Sequence, residues 1–76
     1  IFGFKDDVGL AVSSPDLFAK VFVEDDKVTV TWLAMYHVSG ETITVDFEKL
    51  GFIGKGERIV NVSASMNTCG FETFTV

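Results

Sequence analysis

The chain has a single cysteine, Cys69, so no disulfide can close within it. A single histidine, His37, leaves no Cys/His cluster at metal-ligand spacing, and neither a structural metal nor a cofactor is expected. Basic residues are scarce as well. Six Lys and Arg face eleven Asp and Glu, giving a net charge of −5, and the six are scattered over Lys5, Lys20, Lys27, Lys49, Lys55 and Arg58. A phosphate backbone is held by clustered cations, so nucleic acid is excluded as a partner. The longest apolar run is the five residues from Trp32 to Tyr36. A membrane helix needs about 20, so no membrane span is expected.

Catalytic chemistry fares no better. A nucleophile needs a base beside it and a third group to orient that base. His37 and Cys69 are the only pair that could start such a set, and nothing in their spacing joins them. A lone histidine beside a turn reads as a surface group, and a lone cysteine as a small buried hydrophobe. The stretch "GFIGKGER" has Gly around Lys but not the G-x-x-x-x-G-K-[ST] order of a phosphate loop, so it reads as a flexible hairpin or bulged loop. Asp6-Asp7 and Glu24-Asp25-Asp26 lack EF-hand spacing and read as solvated turns that blunt strand ends. The expectation is a non-enzyme.

What the chain does have is alternation. Turn chemistry recurs about every ten residues, from Ser13-Ser14-Pro15-Asp16 to Met66-Asn67-Thr68-Cys69-Gly70, and the runs between are rich in Val, Ile, Thr and Phe. Period-two patterning predicts strands over 1–5, 8–12, 17–24, 27–38, 41–47, 57–65 and 71–76. About seven short strands in one domain, 1–76, imply an all-β fold: a small antiparallel β-sandwich, immunoglobulin-like in outline, with a small closed β-barrel as the alternative. The Cys…Trp…Cys pattern of true immunoglobulin domains is missing, so the likeness is one of architecture.

Two strands break the alternation. In "KVTVTWLAMYHV" the row Val28, Val30, Trp32, Ala34, Tyr36, Val38 is apolar throughout, yet the opposite row turns apolar at Leu33 and Met35. In residues 17–24 the inner row is Leu17, Ala19, Val21 and Val23, while Phe18 and Phe22 lie on the outer row. If the two strands pair through the short loop after Glu24, Phe18, Phe22, Leu33 and Met35 share one outer side. Two coverings are open. The chain covers the side itself, with Phe2 and Phe4 of "IFGFK" or by bending the long strand into the other sheet. Otherwise the side is a contact surface for another molecule.

A chain of this length buries only roughly 60–65% of its unfolded surface and lacks two of the usual three staples, a disulfide and a metal, which leaves an unusually aromatic core or burial against another molecule. The functional expectation is a structural or interaction subunit. It would form a homo-oligomer or dock a protein partner through Phe2, Phe4, Phe18, Phe22, Leu33 and Met35, with pairing by a terminal strand. An extracellular filament or a particle surface is the expected setting. Asn61-Val62-Ser63 is an N-x-S sequon on an outward row and would carry a glycan in a secreting host. The alternative is a small binding module with an internal apolar or glycan-binding pocket.

Overall fold

The structure is a computed structural model and describes residues 8–76. Six strands follow in order: β1 (Leu10–Val12), β2 (Leu17–Glu24), β3 (Lys27–Ala34), β4 (Val38–Asp46), β5 (Glu57–Ala64) and β6 (Thr68–Thr75). There is no helix among the described residues. The strands form two antiparallel three-stranded sheets, β1-β4-β5 and β2-β3-β6. Two separate sheets make a sandwich and rule out the closed barrel. The seventh expected strand, 1–5, lies outside the described residues, and Phe2 and Phe4 with it.

The inner rows supply the core. Leu17, Val28, Val30, Ala34, Ile43 and Val45 have no exposed surface, and Val60, Val62 and Phe47 have almost none. They come from both sheets and alternate with outward residues along each strand, as a face-to-face packing of pleated sheets requires. Phe47 stands edge-on to Phe74 with ring centroids 5.9 Å apart, and the Arg58 guanidinium lies 5.2 Å from the centre of the Phe74 ring. A buried aromatic pair under a cationic cap closes the core at the β5–β6 side.

One prediction needs correction. The run 27–38 is not a single strand: pairing with β2 ends at Ala34, and Val38 opens β4 in the opposite sheet. The chain crosses between layers at Met35, Tyr36 and His37. Tyr36 therefore leaves the inner row and is 56% exposed. The long strand does bend into the other sheet, as the first covering supposed, but its bend falls after Leu33, so Leu33 stays on the outer side of β2-β3-β6.

Connections follow local chemistry. Glu24 and Lys27 face one another across a two-residue loop whose first member, Asp25, has φ 54°. Asp tolerates that left-handed conformation better than most residues. In the β4–β5 connection the Asp46 carboxylate accepts the amides of Glu48 and Lys49 at 3.0 and 3.3 Å. That turn swings Leu50 and Phe52 back against the core.

Candidate functional site: the outer face and β6 edge of the β2-β3-β6 sheet

Strand register fixes which side chains share the outer face. Phe18 lies opposite Leu33, which lies opposite Cys69. The next rungs along the sheet are Lys20, Thr31 and Phe71, then Phe22, Thr29 and Thr73, then Glu24, Lys27 and Thr75. The Thr29 and Thr73 hydroxyls are 3.2 Å apart, which places both strands' odd-numbered residues on one side. Met35 extends the ladder by one rung, its amide donating to the Asp16 carbonyl at 2.9 Å. The register thus brings Phe18, Phe22 and Leu33 to one face, with Phe18 and Leu33 half-buried and Phe22 57% exposed, while Met35 lies half-buried just past β3, where the crossing begins.

Two members were missed. Phe71 is 70% exposed and sits between Cys69 and Thr73 on β6. Cys69 is exposed too, so its reading as a buried hydrophobe is corrected. The available signal was parity: Phe71 and Phe74 are three apart, so a strand through both must turn one inward and one outward. Phe74 is the inward one. Alternation alone gives no way of knowing that β6 flanks β3, and that pairing is what adds Phe71 to the patch.

The inward side of β6 carries a second feature. Gly70 lies opposite Trp32, and a Cβ built on Gly70 would stand 2.8 Å from the indole Cζ2 and 3.2 Å from Nε1. The indole thus spreads across β6 where a side chain is missing. Gly70→Ala is expected to push the ring aside, costing about 1–2 kcal/mol and shifting the emission of the sole tryptophan. Thermal unfolding with fluorescence detection reads both.

The remaining sequence candidates fall elsewhere. Asn61 is exposed on the outer face of β5, opposite Thr42. His37 is exposed in the crossing between β3 and β4, and Cys69 lies on β6, so neither is enclosed in a cleft. Asp25 and Asp26 form an exposed hairpin tip, whereas Asp6 and Asp7 lie outside the described residues. Among the described residues no three His, Cys, Asp or Glu side chains gather closely enough to hold a metal ion. An open groove of about 540 Å³ runs along β1 and β4 between Leu10, Thr44, Asp46, Lys49 and Glu57. Its lining is of mixed chemistry, from the core residue Leu10 to the exposed Lys49 and Glu57. Compared with protein-family models, with curated proteins and with solved structures, the chain matches none of them.

Proposed function

We propose that this protein is a non-enzymatic structural or interaction subunit that self-associates through the outer face and β6 edge of its β2-β3-β6 sheet. The observation that carries the reading is the placing of exposed Phe22 and Phe71, with half-buried Phe18 and Leu33, on one face of one sheet. Exposed phenylalanines on one sheet face, here Phe22 and Phe71, mark a surface that another molecule covers. Covering ~400 Å² of such surface contributes on the order of 10 kcal/mol before the costs of association and ordering are subtracted. That gross gain is of the size needed to offset those costs. Asn61 belongs to the opposite sheet, so a glycan there would point away from the contact.

Sedimentation velocity across a concentration range tests the reading. The expected result is a reversible rise in sedimentation coefficient from low to high micromolar protein. A monomer at every concentration would overturn it.

A further inference from the structure

The self-association reading names one sheet and leaves open the register in which two copies join, and the edge of β6 answers that. The two-residue loop makes Glu24 and Lys27 the closing pair of the β2–β3 hairpin. In such a hairpin the closing residues exchange both main-chain hydrogen bonds, and bonded and non-bonded pairs alternate from there. Lys27, Thr29, Thr31 and Leu33 therefore turn their amides and carbonyls toward β2, and Val28, Val30, Trp32 and Ala34 turn theirs toward β6. Opposite these lie Phe74, Glu72, Gly70 and Thr68. The Val76 amide, donating to the Asp26 carbonyl at 2.7 Å, has the phase this requires. The main-chain groups of Cys69, Phe71, Thr73 and Thr75 consequently face outward at an edge that no other described strand pairs.

This edge lacks the usual protection against pairing. β6 has eight residues with no Pro, no Lys and no register shift against β3. Its one charge, Glu72, belongs to the inward row and is exposed. Like pairs with like in a two-fold arrangement, so the possible axes can be compared side chain by side chain. An axis through Glu72 sets two carboxylates against each other, which is unfavourable. An axis through Thr73 sets Glu72 against the buried Phe74. An axis through Phe71 stacks the two exposed phenyl rings and sets Glu72 against Gly70, which has no side chain of its own and is crossed by the Trp32 indole.

That last register also satisfies a donor. The Trp32 indole reaches across Gly70, and its N–H meets no acceptor among the described residues yet is not sealed from solvent. The Glu72 carboxylate of a second copy arrives on the same side of the sheet, beside Gly70.

We infer that two copies of this chain pair β6 with β6 antiparallel about a two-fold axis through Phe71, giving a continuous six-stranded sheet in which Glu72 of one copy accepts the Trp32 N–H of the other. The inference rests on the self-association reading and names its partner and register. Cys69 then faces Thr73 of the other copy, and about six main-chain hydrogen bonds cross the axis.

Cysteine cross-linking tests the register on the full chain. With Thr73→Cys, Cys69 and the new thiol face each other across the axis at a Cα separation of about 5.5 Å, within disulfide reach. Mild oxidation should give a covalent dimer on a non-reducing gel. The native chain should not cross-link, because its two Cys69 residues stand about 13 Å apart along the strand. Cross-linking of Thr75→Cys through Cys69 would place the axis at Glu72, and cross-linking of Thr73→Cys in a Cys69→Ser background would place it at Thr73. Either outcome overturns the register while leaving self-association standing. Phe71→Lys and, as a milder change, Phe71→Thr should each weaken dimerisation at least tenfold with the circular dichroism spectrum unchanged. Unaltered dimerisation in both would remove Phe71 from the axis. A chain that sediments as a monomer throughout overturns the inference and the reading beneath it together.

Discussion

Leu17→Ala is expected to leave much of the chain unfolded at 37 °C, while Phe22→Ser, five residues along the same strand, folds normally. Leu17 is wholly buried and begins β2 immediately after the turn in which its amide donates to the Ser14 carbonyl at 3.3 Å. Truncating a buried leucine costs about 2–5 kcal/mol, because the transfer energy is lost and the cavity collapses only in part. A domain of this length has roughly 4–11 kcal/mol of stability in total. The upper half of the cost range therefore consumes most of the lower half of the stability range. Phe22 is more than half exposed, and its removal should change stability by about 0.5 kcal/mol or less. Urea unfolding of the two variants in parallel is the measurement. Equal losses would mean that the assignment of inner and outer rows on β2 is wrong, and with it the composition of the apolar face.

The contrast between those two residues also marks how far alternation carries. Leu17 and Ala19 were legible as core and Phe18 and Phe22 as outward, since parity along a strand is a property of the backbone itself. The β2–β3 hairpin was legible because a two-residue loop leaves few registers. Three features were not. Val23 belongs to the inner row of β2 yet is 47% exposed, although Val28 opposite it is wholly buried: β2 is the rim of its sheet, and the cover over this rung stops short of it. The break after Ala34 is hidden because the run from Trp32 to Tyr36 is apolar on both rows, so nothing in the side chains marks where hydrogen bonding changes sheets. Phe71 was hidden for a third reason: membership of the patch depends on β6 pairing with β3, a contact between residues some forty positions apart that local pattern does not encode. Sequence thus supplied two strands of the candidate face and the topology supplied the third.

The edge of β6 bears on the choice between a covered and an uncovered face. Strands at the rim of a sheet are ordinarily guarded by charge, proline or a bulge, and the other rim strands here follow that rule in part: β2 carries Lys20 and Glu24, and β5 carries Glu57 and Arg58. β6 alone among the long rim strands has just one charge, and it lies on the inward row beside a glycine. A chain with a net charge of −5 places only Glu72 on this strand. That distribution is what a pairing strand requires, since like charges brought across an axis oppose association.

Gly9→Val is expected to destabilise the chain by roughly 3–5 kcal/mol, the largest effect of any change outside the hydrophobic core. Two separate penalties combine. Gly9 has φ +78°, a conformation in which a β-branched residue is strained by about 1–2 kcal/mol. Even the first carbon of a side chain would stand 2.8 Å from Leu50 Cδ2 and 3.2 Å from the Asp46 carbonyl oxygen. The Asp46 side cannot retreat freely, because the Asp46 amide donates to the Gly9 carbonyl at 2.7 Å and its carboxylate organises the following turn. A double-mutant cycle separates the penalties. In a Gly9→Ala background, Leu50→Ala should cost less than it does alone, since it opens the space that the new methyl group needs. The backbone strain should persist in both. Additive losses would show that the φ of Gly9, and not the leucine packed over it, is what the glycine serves.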